Sequence, residues 1–393
     1  MRDEAAMRRV NRALVTLATA LAVVAVPAAA SAAPRPAPHD AAPHDAAPHD
    51  AAPHDAALRE RLDAVVSAGA VGALAEVRDG RRVWRGTAGT AEQGTTRPVP
   101  ADGRFRMGSI TKTFLATVVL QLAAEDRLAL DDSVERWLPG TVPGGERITL
   151  RHLLNHTSGL YDYKRTLTMP PSPAFLDDRL RTWTASELVD RAVAQPPTST
   201  TPGTAYAYSN TDYVLLGQIV EQATGRSYAD EITARIIRPL GLHSTSVPGT
   251  SPRIPGPHPH GYVPVVDADG MRLVDYTVMN PSLMGASGEM ISTTHDLNRF
   301  VSALLGGRLL PDDLLDEMRT PGLEHGTYGL GLTWRTTACG VPVYGNDGDA
   351  LAYQTWSFTT ADGRRTATVA LTPDFRGDAD DAVDAFLDRA FCG

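Results

Sequence analysis

Segments that read as β-strands sit near both ends of this chain, and a long helical stretch separates them. Residues 70–77 have strand composition, Asp79-Gly80 is a hairpin turn signal, and 83–87 can return as the partner. A strong helix follows over 108–127, with Phe114, Val118 and Leu122 beside Leu115 and Val119 on its apolar side. Residues 128–305 are mostly helical patterns broken by Pro/Gly loops, with helices expected at 150–154, 186–194, 213–223, 229–237 and 294–305. Strands resume at 328–334, 341–344, 353–359 and 366–371, with Asp362-Gly363 as a turn, and 380–391 closes the chain as an amphipathic helix. The simplest arrangement is a mixed α/β fold of the α+β type. One antiparallel sheet is built from both ends, terminal helices pack on it, and an all-helical domain (about 128–305) is inserted. A site is expected at the junction.

Residues 1–32 read as a secretory signal. Arg8, Arg9 and Arg12 form a positive start, 13–26 is apolar, and Ala30-Ser31-Ala32 closes it as a cleavage site. A retained membrane anchor is the alternative, because the run is near the lower length limit for a span. The small residues at its end favour cleavage, so the mature chain is expected to be secreted, monomeric and without a membrane span. A Pro-His-Asp-Ala-Ala repeat fills 38–57 and spaces His39, His44, His49 and His54 evenly. It has no apolar face, so 33–57 reads as a disordered linker before a globular unit at 58–393. A His-rich tract can also collect zinc or copper, but the spacer reading is preferred. Export and an even count suggest one disulfide between the two cysteines, Cys339 and Cys392.

The net charge of −9 leaves no basic surplus for a nucleic-acid partner. Two cysteines rule out a Cys-based zinc cage. The chain has no G-x-S-x-G elbow, no H-E-x-x-H and no glycine-rich nucleotide loop. Neither a metal nor a cofactor is expected.

Of the 37 basic residues only Lys112 and Lys164 are lysines. Arg cannot give up its proton, whereas a desolvated Lys can. Lys112 stands three residues after Ser109, and Gly108 marks a turn into a helix. Residues i and i+3 at a helix start share a face, so the amine can reach the hydroxyl. A hydroxyl needs such a base to become a nucleophile. Free N–H groups at the helix start suit a developing oxyanion. Tyr208-Ser209-Asn210 follows a Pro-Gly turn and precedes a helix. Tyr208 can relay a proton to a leaving group, and Asn210 can hold Lys112 and a substrate amide. Asn346-Asp347-Gly348-Asp349 follows a strand; Gly348 lets a substrate approach closely, and an N–H beyond it could complete an oxyanion hole. Taken singly, each feature is also what a helix cap, a core aromatic or a polar turn looks like.

Together, S-x-x-K, Y-x-N and the third motif resemble the serine penicillin-binding and class C-type β-lactamase family. Phe105-Arg106-Met107-Gly108-Ser109, Leu153-Leu154-Asn155-His156-Thr157-Ser158-Gly159-Leu160, Tyr206-Ala207-Tyr208-Ser209-Asn210-Thr211 and Gly288-Glu289-Met290-Ile291-Ser292-Thr293 extend the likeness. It is strongest to the secreted actinomycete D-alanyl-D-alanine carboxypeptidases, through Leu160-Tyr161-Asp162-Tyr163, Tyr328-Gly329-Leu330-Gly331-Leu332, Cys339-Gly340 and Phe391-Cys392-Gly393. It covers about 58–393. The resemblance implies a β-lactamase/transpeptidase-like fold and an acyl-enzyme on Ser109. It also implies a Lys112/Tyr208 proton network, an oxyanion hole from the Ser109 and Asp349 N–H groups, and the Cys339–Cys392 disulfide. Implied partners are peptidoglycan stem peptides or small D-amino-acid and ester substrates, with β-lactams as inhibitors. The sequence departs from the family at Asn346, where a His or Lys is usual, at Asp347, where a small hydroxyl residue is usual, and at Thr333, where a carboxylate-binding Arg is usual. Arg335 falls on the same strand face as Thr333 and is the candidate replacement. The function preferred on these residues is a D-alanyl-D-alanine carboxypeptidase that acts on cell-wall peptides and binds penicillin; the alternatives are an esterase, D-aminopeptidase or β-lactamase-like hydrolase of a substrate without a free carboxylate, and a non-catalytic binder of peptidoglycan or protein.

Overall fold

The computed structural model describes residues 51–393. The expected signal and the repeat histidines 39, 44 and 49 lie outside the described residues. Helix α1 (Ala51–Gly69) begins inside the last repeat unit, ahead of the expected start at Leu58. Pro53 falls in its first turn, where a missing N–H breaks no intrahelical bond. Leu58, Leu62 and Val65 are completely buried.

β1 (Ala70–Asp79) and β2 (Arg82–Gly89) form the expected hairpin. β3 (Phe105–Arg106) leads through Gly108 into α2 (Ile110–Ala124). The middle of the chain holds α3 (Val134–Trp137), α4 (Leu150–Leu154), α5 (Ala185–Val193), α6 (Asn210–Thr224), α7 (Tyr228–Ile232) and α8 (Arg238–Leu240). The expected helix at 229–237 is interrupted, because Thr233–Ile237 widens into a π-turn between α7 and α8.

The inserted region is not all-helical. β4 (Tyr262–Asp267) and β5 (Gly270–Asp275) make a separate two-stranded hairpin, and β6 (Ile291–Ser292) pairs with β3. Ala268 and Asp269 form the two-residue turn of the β4–β5 hairpin, between paired Asp267 and Gly270. Then come α9 (Thr294–Leu305), α10 (Asp312–Arg319), β7 (Thr333–Thr336), β8 (Pro342–Asp349), β9 (Gln354–Thr360), β10 (Arg365–Pro373) and α11 (Asp380–Cys392).

The main sheet is antiparallel with order β2-β1-β10-β9-β8-β7. The early and late strands thus meet where β1 pairs with β10, inside the sheet. These strands are buried along almost their whole length and read as nearly continuous runs of small and apolar residues. α1 and α11 cover one face, where Leu62, Val77, Trp84, Phe358, Val369 and Phe386 form a core. α2 and α9 cover the other, and Phe114 stacks on Phe300 with ring centroids 3.6 Å apart. Cys339, in the β7–β8 turn, is bonded to Cys392 at the end of α11. No described helix is long and apolar enough to cross a membrane.

Candidate active site

Gly108 has φ +56°, a left-handed conformation that turns the chain from β3 into α2. A Cβ there would lie 2.7 Å from backbone atoms of Asp349, so the start of α2 is pressed against the end of β8. Ser109 sits at this junction. Its Oγ is 2.6 Å from the Tyr208 hydroxyl and 3.0 Å from Lys112 Nζ. Lys112 Nζ is also 2.9 Å from Asn210 Oδ1 and 2.7 Å from the Ser287 carbonyl. Asn210, in the first turn of α6, is oriented by donating its Nδ2 to Asp162 at 3.0 Å. S-x-x-K and Y-x-N therefore converge; helical spacing accounts for Ser109 and Lys112, and the resemblance implied the rest.

Lys112 is completely buried. Burial pushes its pKa well below the ordinary lysine value, and nearby Lys164 pushes the same way, against Asp162, Asp212 and Asp347. A neutral amine has two N–H donors and one lone pair. Asn210 Oδ1 and the Ser287 carbonyl accept from Nζ, and in the neutral form its lone pair is available to the Ser109 hydroxyl 3.0 Å away. Burial drives the Tyr208 hydroxyl well above its ordinary value, so it keeps its proton and donates to Ser109 Oγ. Beside it, the ring of the fully buried His156 lies 4.3 Å from that of Tyr208, and Asp212 holds His156 Nδ1 at 2.9 Å.

The third motif lies within β8 rather than after it. Ala350 donates its N–H to the Tyr353 carbonyl at 2.9 Å. By alternation, Asp347 and Asp349 turn their N–H groups away from β9. β7 ends its pairing at Thr333 opposite Gly345, so beyond that point this edge of β8 faces the cleft. Asp347 N–H is taken by Asn346 Oδ1 at 3.1 Å, which leaves Asp349 N–H beside Ser109. At Gly348 a Cβ would lie 2.0 Å from the Met107 carbonyl oxygen and 2.9 Å from Ser109 N. The Asp349 carboxylate accepts from Leu351 N–H at 2.6 Å. Asn346 is buried and donates to Thr113 at 3.2 Å.

These groups open on a cavity of about 700 Å³, which Thr333 and Asp347 also line. The Asp347 carboxylate is reached from the cleft. Partial loss of water raises its pKa, Asp349 adds to this, and Lys112 opposes it. Arg335 does not line the cavity, which corrects the expectation that it replaces a carboxylate anchor. Its guanidinium pairs with Asp384 on α11, and this partner raises its pKa. Arg335→Ala should leave KM within about twofold while lowering the melting temperature slightly, as for a partly exposed ion pair; a KM rise above tenfold would return Arg335 to the site.

The cation that does line the cleft is Lys164. Being one of two lysines in a chain rich in arginine was the signal that could have found it. Ser287 contributes a backbone carbonyl, for which the sequence carries no side-chain signal.

The model of the family described as Beta-lactamase matches residues 54–392. The chain belongs to the Beta-lactamase family. Penicillin-binding protein 4* of Bacillus subtilis (strain 168) is 30% identical, over 75% of this chain and 66% of its own length. Esterase EstB of Burkholderia gladioli is 33% identical, over 70% of this chain and 78% of its own. The solved structure of a D-stereospecific amidohydrolase from Streptomyces sp. superposes with a TM-score of 0.78 at 43% identity, covering 86% of this chain and 99% of that one. The Beta-lactamase family thus holds relatives with penicillin-binding, esterase and amidohydrolase names around one hydrolase fold.

Proposed function

We propose that this chain is a serine acyl-transfer hydrolase acting on D-aminoacyl amides and esters that carry no free carboxylate beside the scissile bond. Neutral Lys112 takes the Ser109 proton as Oγ attacks the carbonyl. The Ser109 and Asp349 N–H groups receive the oxyanion. Tyr208 passes a proton to the leaving amine or alcohol, and water then hydrolyses the acyl-enzyme. The observation that carries the substrate class is the Asp347 carboxylate at the cleft while Arg335 is held by Asp384. Exchanging a charge-assisted bond of about 1.5–3 kcal/mol for repulsion disfavours a terminal carboxylate by at least about ten- to a hundredfold.

A second reading is a D-alanyl-D-alanine carboxypeptidase that acts on cell-wall peptides and binds penicillin. It draws on Lys164, the cation lining the cleft, and on the penicillin-binding relative. Hydrolysis of D-phenylalanine amide and its ethyl ester, measured beside D-alanine release from a D-alanyl-D-alanine peptide, separates the two. The expected kcat/KM is at least tenfold higher for the amide or ester. The reverse order would favour the carboxypeptidase, and full activity in Ser109→Ala would remove the mechanism from both.

Export belongs to the same proposal. The Cys339–Cys392 bond supports it, because disulfides persist in oxidising compartments. Protein recovered from the culture medium should begin at Ala33, ahead of the linker and the globular unit; retention of residues 1–32 would contradict the cleaved signal.

A further inference from the structure

A second cavity, of about 210 Å³, lies on the other side of the 281–289 segment from the main cleft. Ser287 of this segment faces the cleft, whereas Ser282, Gly285, Ala286 and Glu289 line the second cavity. Trp183, α5, α6, Tyr228 and the Gly249-Thr250 loop supply its remaining walls.

Three of its lining side chains carry buried polar atoms with no hydrogen bond of good geometry: Trp183 Nε1, Gln218 Oε1 and Glu289 Oε2. Buried polar groups are nearly always paired, and two of these atoms, Gln218 Oε1 and Glu289 Oε2, are acceptors open to a donor guest; Trp183 Nε1 is itself a donor and does not argue for one. Glu289 is only 1% exposed, and its Oε1 accepts from the Tyr228 hydroxyl. Burial raises its carboxyl to about 7, against the opposing pull of Tyr228, the Gly249 amide and Arg106.

The chemistry of the walls is one-sided. Glu289 and Glu221 both line the cavity, and no lysine, arginine or histidine does. Arg181 and Arg191 lie over the Trp183 ring, 3.8 and 5.0 Å from its centre, and are not part of the lining. Two carboxylates are too few to hold a metal, and no cluster of three candidate ligands occurs among the described residues.

The geometry points to a binding site for a small primary ammonium ion. Its three N–H groups would be shared among the Glu289, Glu221 and Gln218 oxygens, with the Trp183 and Tyr228 rings beside its carbon chain. The volume admits only a few carbons. This site is separate from the Ser109 cleft and does not depend on how that cleft is read.

Calorimetric titration of the full chain with n-propylammonium chloride tests it, with 1-propanol as an uncharged match in shape. The expected result is saturable single-site binding of the ammonium and none of the alcohol. Binding should persist in Asp347→Asn, which removes a carboxylate from the main cleft, and weaken at least tenfold in Gln218→Leu. Gln218 is half-buried, so that variant should fold; Glu289→Gln is the second probe. Absence of saturation would overturn the proposal, as would equal binding of propanol. So would loss of binding in Asp347→Asn with retention in Gln218→Leu, because it would move the ligand to the cleft.

Discussion

Lys112→Arg should lower kcat/KM by roughly 10²–10⁴-fold on any ester or amide that the wild type hydrolyses. The substitution keeps a long basic side chain; what disappears is the ability to be neutral. In the native site the amine is fully buried beside two carbonyl acceptors and one hydroxyl, partners that an uncharged amine can satisfy. A guanidinium has no lone pair to take the Ser109 proton.

The same argument sets the pH dependence. A lysine whose pKa is lowered is neutral above that lowered value and protonated below it. Activity should therefore rise with pH through the folded-state pKa of Lys112 and be lost on the acid side. Because burial moves that pKa well below the ordinary lysine value, the acid limb should fall well below pH 10.5. Lys112→Met is the companion variant, since it keeps the apolar stem without introducing a buried guanidinium. Both variants should retain a cooperative melting transition. Wild-type rates in either would show that another group accepts the Ser109 proton.

What was legible in the sequence was local chemistry. Ser109 and Lys112 lie one helical turn apart, and helix geometry alone brings them together. Tyr208 and Asn210 lie about a hundred residues further on, ahead of another helical pattern, and their pairing with Ser109 and Lys112 was expected only through the family resemblance. The meeting of both chain ends in one sheet followed from where the strand patterns stood.

The misreadings came where a pattern depends on what covers it. Thr333 and Arg335 share a strand face, and period-2 alternation was right about that. It could not say that α11 lies over Arg335 and offers Asp384, while Thr333 is left at the mouth of the cleft. Asn346-Asp347-Gly348-Asp349 looked like a polar turn, yet it pairs with β9 through Asp349 opposite Gln354. Polar residues are tolerated there because pairing with β7 ends at Thr333, opposite Gly345, and the β8 edge beyond it lines the cleft. The β4–β5 hairpin was obscured by Pro264, although an isolated two-stranded ribbon has free edges where proline is allowed.

Gly348→Ala should reduce kcat by about 10²–10³-fold, the range for loss of one oxyanion donor, with a smaller change in KM. Nothing in its φ demands glycine; the constraint is space. The added methyl would sit 2.0 Å from the Met107 carbonyl oxygen and 2.9 Å from Ser109 N, far inside van der Waals contact, and both are backbone atoms that cannot rotate away. Either the β8 edge retreats or the β3–α2 junction does. Both movements separate the Ser109 and Asp349 N–H groups, whose joint position is what the tetrahedral intermediate needs. Asp349→Ala separates backbone from side chain, because it deletes the carboxylate that accepts from Leu351 while leaving the Asp349 N–H in place. Its kcat should stay within about tenfold of the wild type, above the loss expected when an oxyanion donor is removed. Were Gly348→Ala to keep a wild-type kcat, or Asp349→Ala to lose as much as Gly348→Ala, the oxyanion would have to be stabilised by something other than the two backbone amides brought together where α2 meets β8.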